Sequence, residues 1–155
     1  MNKALVITPT YNELENIEAI IEAVFSQPIA FDMLIVDDGS PDGTGAIVKN
    51  LQAKHNSAEK RLHLIERSGK QGLGTAYIEG FLFGLREGYS YILEMDADFS
   101  HDPKDLNRLL AACANESADM AIGSRYVTGV NVSTGRWGAS LCHTARACMS
   151  VLLRV

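Results

Sequence analysis

The sequence predicts an α/β domain: an open, mostly parallel sheet with helices on both faces. Five short apolar runs, at residues 4–8, 33–36, 62–65, 91–95 and 120–122, read as buried strands. The stretches between them carry apolar residues at helical spacing, and strands alternating with helices call for parallel pairing through right-handed crossovers. Each polar cluster follows directly on a strand, at the edge where such sheets bind ligands.

In chain order, the first strand is stopped by Pro9. Asn12, with Glu15 three positions later, offers a helix cap, and Leu14, Ile17, Ile20, Ile21, Val24 and Phe25 share one face up to a stop near Pro28. The second strand ends in Asp37-Asp38-Gly39-Ser40. Ser40 and Pro41 form a cap and first-turn pair for a helix whose apolar stripe is Ile47, Val48 and Leu51. The third strand leads through the glycine-rich loop 66–74 into a helix carrying Ala76, Tyr77, Phe81, Leu82 and Leu85, which should end around Gly88. The fourth runs into Asp96-Ala97-Asp98. Asp102-Pro103 then restarts a helix through Leu106, Leu109 and Leu110, with Asp105 favouring the positive end of its dipole. A short fifth strand enters Gly123-Ser124-Arg125-Tyr126.

The 155 residues, 46% hydrophobic and 21% charged, suffice for one well-buried domain and not for a second of full size. A net charge of −5 and a pI near 5.3 argue against a nucleic-acid surface, which needs a basic patch. Cys113, Cys142 and Cys148 have neither disulfide-framework nor metal-site spacing, so a reducing cytoplasmic compartment is expected. The chain opens directly on a strand pattern and holds no apolar span of about 18 residues, so neither export nor membrane spanning is expected.

Two carboxylates at the end of a buried strand are costly unless something neutralises them. For Asp96 and Asp98 a hydrated Mg²⁺ or Mn²⁺ suits the hard oxygen ligands and leaves coordination sites for substrate phosphates; the competing reading is a solvated turn and helix cap. Asp37 and Asp38 are good turn residues, yet two adjacent acids exceed what a turn requires. Asp38 is assigned to nucleotide recognition and Asp37 to its support. Tyr11 is suited to packing on a nucleobase and Glu13 to binding base or sugar donors, beside the plain role of this stretch as a helix entry. The loop 67–74 reads either as a phosphate cradle or as a simple connection, and it lacks the Gly-Lys-Ser/Thr ending of a P-loop. Arg125, just beyond the fifth strand, is placed to oppose negative charge on a leaving diphosphate. His101 neighbours the acidic motif and is expected to shape the turn rather than to ligate.

Together, Pro-Thr-Tyr-Asn-Glu at 9–13, Val-Asp-Asp-Gly-Ser-Pro-Asp-Gly-Thr at 36–44, Gly-Leu-Gly-Thr-Ala-Tyr-Ile at 72–78, Met-Asp-Ala-Asp-Phe-Ser-His at 95–101 and Gly-Ser-Arg-Tyr-Val at 123–127 resemble the polyprenol-phosphate (dolichol-phosphate) mannosyltransferases of glycosyltransferase family 2. The resemblance implies the GT-A fold and transfer of mannose from GDP-mannose to a polyprenyl phosphate lipid, with inversion, aided by Mg²⁺ or Mn²⁺. It implies that Pro9, Tyr11, Glu13, Val36 and Asp38 contact the nucleotide. Asp96, Ala97 and Asp98 would hold diphosphate and metal, with Arg125 beside the phosphates. Such a transfer needs no dedicated base, because a phosphate acceptor is already ionised near neutrality. A lipid acceptor implies peripheral work at the cytosolic membrane face.

Residues 1–128 are read as the catalytic domain and 129–155 as a divergent, truncated segment. The latter holds Trp137, Arg136, Arg146, Arg154 and no acid, with a helix expected over 139–153. Three other readings stand beside the first: a UDP-glucose-dependent sister enzyme, a phosphatase using Asp96 as nucleophile, and an inactive nucleotide-sugar-binding fragment. The phosphatase would need its Asp-x-Asp on the first strand, whereas here it follows the fourth.

Overall fold

The computed structural model describes residues 3–115, 119–123 and 151–154. Ten elements follow in the order β1 (Ala4–Thr10), α1 (Ile17–Phe25), β2 (Asp32–Asp37), α2 (Thr44–His55), β3 (Leu62–Glu66), α3 (Leu73–Arg86), β4 (Tyr91–Glu94), α4 (Asp105–Asn115), β5 (Met120–Ile122) and β6 (Val151–Arg154). They build one sheet in the order β3-β2-β1-β4-β6-β5. The first four strands pair in parallel, while β6 runs antiparallel to both β4 and β5.

Alternation along the strands sorts the core into two layers. Ala4, Val6, Met33, Ile35 and Leu93 face α1, α2 and α4, against Ile17, Ile20, Ile21, Val24, Val48, Leu106 and Leu110. Leu5, Ile7, Leu34, Val36 and Ile92 face the other way, against α3. There the helix comes very close: a Cβ on Gly80 would stand 2.6 Å from Ile7 Cγ2, and one on Gly84 2.7 Å from Ile92 Cδ1. The strand order reverses between β1 and β4. Sheets of this kind bind ligands in the crevice beyond the carboxyl ends of the strands at that reversal.

Four local expectations are corrected. Asn12 does not cap α1; it takes a left-handed φ of 60°, and the helix begins at Ile17. Long-range acceptors explain the delay. Ser40 Oγ accepts the Asn12 amide at 3.0 Å, Thr44 Oγ1 that of Glu13 at 3.1 Å, and Asp42 Oδ2 that of Leu14 at 3.1 Å, so these amides are held outside any helix. Leu14 is consequently exposed instead of sharing the buried face. Nor do Ser40 and Pro41 start α2, which begins at Thr44, where Asp42 Oδ1 accepts the backbone amide at 2.9 Å. On α3 the buried face is Ala76, Gly80 and Gly84, whereas Leu82 and Leu85 are exposed. Glycines let the helix sit against the sheet, and the larger apolar residues turn away.

The fourth correction concerns the end of the chain. A helix over 139–153 is ruled out at its last turn, since Val151–Arg154 forms strand β6 between β4 and β5. Short apolar runs carry no period that separates helix from strand, and the open edges of β4 and β5 decide the outcome here. The rest of that expected helix, with Trp137, Arg136 and Arg146, lies outside the described residues. Among the described residues no helix is long and apolar enough to cross a membrane.

Candidate functional site

The polar clusters meet at the carboxyl edge of β1, β2 and β4. Thr10 and Asp37 are paired across β1 and β2, and Ile7 is paired with Glu94 of β4. The turns leaving these strands therefore converge on one crevice.

On the β1–β2 side every carboxylate is satisfied internally. Asp37, 2% exposed, accepts from Thr10 Oγ1 at 2.9 Å, from the Ser40 amide at 2.9 Å and from Ser40 Oγ at 2.6 Å. It fixes the turn that carries its neighbour. Asp38 is buried and ion-paired with Arg67, whose Nε and Nη2 both address Oδ1, while the Gln71 amide donates to Oδ2 at 3.2 Å. Arg67 also donates to Thr75 Oγ1 at 2.7 Å and to the Gly72 carbonyl at 3.1 Å. The loop after β3 is thereby strapped to Asp38, and its arginine is committed to a carboxylate rather than left to cradle phosphate. Gly39 permits the approach: its φ is +69°, and a Cβ there would lie 3.0 Å from the Arg67 carbonyl oxygen.

Around this strap, Tyr11 is exposed, with Lys70 Nζ 4.6 Å from its ring centroid. The Glu13 carboxylate accepts from Asn16 Nδ2 at 3.1 Å. Pro9 is partly exposed at the crevice edge of β1. Val36 directs its side chain into the core beneath α3.

The β4 side is built differently. Asp96 Oδ1 accepts a hydrogen bond from Tyr77 of α3 at 3.1 Å, and the Asp96 amide donates to His101 Nδ1 at 3.3 Å. His101 thus shapes the turn. Ala97 is 3% exposed, between a partly exposed Asp96 and an exposed Asp98. Asp98 is exposed and accepts the Ser100 amide at 2.9 Å, across Phe99, which takes a left-handed φ of 58°. Glu94, half-buried one position before Met95, has its carboxyl pushed above the usual range by burial and then by the charge of Asp96. The Tyr77 hydroxyl is pushed well above its ordinary value by burial first, then by Asp96, Glu94 and Asp98.

Among the described residues no ion pair reaches Glu94, Asp96 or Asp98. Nor, among those residues, is any set of three or more His, Cys, Asp or Glu side chains arranged to enclose a metal. Two carboxylates that no cation reaches among the described residues fit the chemistry of Mg²⁺ or Mn²⁺, hard ions that bind through one or two carboxylates and keep several waters. Arg125 lies outside the described residues.

Three participants escape sequence reasoning. Tyr77 reads as one more residue of an apolar helix face, and its only signal is a hydroxyl on that face. Arg67 reads as part of a loop, because its partner stands 29 positions earlier. Glu94 is an acid inside an apolar strand run, which was its signal.

This arrangement, a strand-end acidic pair at the reversal of a largely parallel sheet, is that of a GT-A domain. The pattern of Glycosyl transferase family 2 matches residues 5–148, and the chain belongs to that family. Over 135 residues it is 50% identical to a polyprenol monophosphomannose synthase from Mycolicibacterium smegmatis, covering 87% of this chain and 49% of that protein. It is 44% identical over 146 residues to an undecaprenyl-phosphate mannosyltransferase from Micrococcus luteus, covering 90% of this chain and 58% of the other. The chain thus spans about half the length of the curated relatives it matches. Among solved structures, a mannosyltransferase from Pyrobaculum calidifontis in complex with GDP-Man and Mn²⁺ aligns with a TM-score of 0.64 at 24% identity, over 79% of this chain and 36% of that one. At that identity the likeness is one of fold.

Proposed function

We propose that the chain carries the nucleotide-sugar site of an inverting mannosyltransferase that moves mannose from GDP-mannose to a polyprenyl phosphate. The observation that carries the reading is the acidic pair Asp96 and Asp98 at the exit of β4, which no ion pair reaches among the described residues, on the strand next to β1, whose exit leads to Tyr11 and Glu13. The names of the two curated relatives support the mannosyl group and the lipid-phosphate acceptor.

In this reading Pro9, Tyr11 and Glu13 form the nucleoside end together with Val36, through its backbone since its side chain is in the core, and Asp38, through lone pairs beyond those that Arg67 and Gln71 engage, while Asp37 holds the turn rigid. Asp96 and Asp98, with Ala97 between them, would hold Mg²⁺ or Mn²⁺, which would supply positive charge against the leaving diphosphate. Arg125 opposes the same charge. Asp96 and Asp98 are not bases, since an ionised phosphate acceptor has no proton to lose. The crevice residues align the acceptor oxygen with the anomeric carbon, opposite the departing GDP. The acceptor's lipid tail places the work at a membrane surface, by peripheral contact.

The test is transfer of labelled mannose from GDP-mannose to a short polyprenyl phosphate with Mn²⁺. A solvent-extractable mannolipid is expected. Tighter calorimetric binding of UDP than of GDP would overturn the donor assignment, and binding without transfer would leave a nucleotide-sugar-holding module.

A further inference from the structure

The hydroxyl of Tyr77 is the one hydrogen-bond donor to the Asp96 carboxylate among the described residues. It reaches that carboxylate from a different element. α3 lies on the opposite side of the sheet from α1, α2 and α4, and its buried face carries no bulky side chain that would hold it away from β1 and β4. One helical turn beyond Tyr77, Gly80 sits where a Cβ would be 2.6 Å from Ile7 Cγ2. The ring is steadied by Phe81, with centroids 6.5 Å apart. Helix position and ring orientation are therefore set by packing, before any ligand arrives.

Between a phenol and a carboxylate, the phenol donates. With Oδ1 engaged at 3.1 Å, rotation of the Asp96 carboxylate is restricted, and among the described residues no hydrogen bond takes up Oδ2. Without that bond, a carboxylate on a strand-end turn would sample several rotamers, and ordering it would weaken cation binding. We propose that Tyr77 is a positioning residue: it presents Asp96 in one orientation for the divalent cation that the site would hold together with a nucleoside diphosphate. The inference rests on the metal reading of Asp96 and Asp98 above.

The test uses the full chain with Mn²⁺ and GDP, read by electron paramagnetic resonance and calorimetry. Tyr77→Phe keeps the ring and removes the donor. It is expected to weaken Mn²⁺ binding in the presence of GDP by about 3- to 10-fold, the range of one hydrogen bond, while GDP binding in EDTA is unchanged. In an Asp96→Asn background the same substitution should have no further effect on the metal. Incorporating 4-aminophenylalanine at position 77 restores a donor on the ring and should return affinity towards wild type, which also serves if the phenylalanine variant folds poorly. Unchanged Mn²⁺ binding in Tyr77→Phe overturns the proposal, as does an equal loss of metal-free GDP binding or a loss that persists in Asp96→Asn. Should Asp98→Ala abolish Mn²⁺ binding while Tyr77→Phe leaves it intact, the positioning role alone fails. If the wild-type chain binds no Mn²⁺ with GDP, the metal reading falls and the proposal with it.

Discussion

The two sides of the crevice answer the same electrostatic problem in opposite ways. At the exits of β1 and β2, Asp37 and Asp38 are buried and every strong acceptor has a partner in the chain: Thr10, Ser40, Arg67 or a backbone amide. At the exit of β4, Asp96 and Asp98 receive one phenol and one amide, and among the described residues no cation. The first side is complete and presents a fixed surface. Among the described residues the second lacks a balancing charge, which is what a site needs if its charge is to be balanced by something that comes and goes.

That contrast can be broken at several points. The largest effect is expected from Arg67→Ala, which leaves Asp38 as a buried charge without its partner, both side chains being under 10% exposed. A loss of about 3–5 kcal/mol in urea denaturation is expected, since removing one member of a buried pair strands the other. Adding Asp38→Asn should recover much of it. On the β4 side Asp98→Ala should cost little stability, because the residue is exposed. It should lower metal-dependent transfer on the order of 100- to 1,000-fold, as removal of a charge-stabilising group does, while leaving metal-free GDP binding in place. A stability loss there matching that of Arg67→Ala would erase the distinction between the two sides.

Gly80→Ala sharpens the comparison from behind. It forces a methyl to within 2.6 Å of Ile7, so about 1–3 kcal/mol of overpacking is expected in thermal denaturation, and displacement of α3 should weaken Mn²⁺ binding without altering nucleoside affinity. The smallest effect falls on neither side. His63 on β3 is buried beside Tyr89 and Phe83, and burial holds its imidazole below the ordinary 6.5. The folded chain therefore binds fewer protons than the unfolded one just below that pH, and stability should decline as pH falls from 6.5 towards the depressed value. Folding measured against pH should lose this slope in His63→Gln, with nucleotide binding untouched.

Much of this was legible in the chain. Apolar runs ending in acids gave the strands and the crevice edge, because a carboxylate after a buried strand has few places to be. What stayed hidden depended on partners distant in sequence. The Asn12–Glu15 cap signal is real local chemistry, yet Ser40, Asp42 and Thr44 hold the amides of residues 12–14 about 30 positions away. The contributions of Tyr77 and Arg67 follow from where α3 and its preceding loop dock. Val-Leu-Leu at 151–153 has no period of its own and becomes a strand because two neighbours offer open edges.

That late strand has a consequence for how the molecule is made. β4, which delivers the acids, is flanked by β1 on one side and by β6 on the other, and β6 ends 60 residues downstream of Glu94. At a synthesis rate of about 5–20 residues per second, the outer edge of β4 waits roughly 3–12 s for its cover. For that interval a row of unpaired amides and carbonyls stands beside nascent neighbours, able to template pairing with another chain. Ribosome pausing or cleavage between β5 and β6 would therefore show itself first as aggregation through the strand that leads into Asp96 and Asp98.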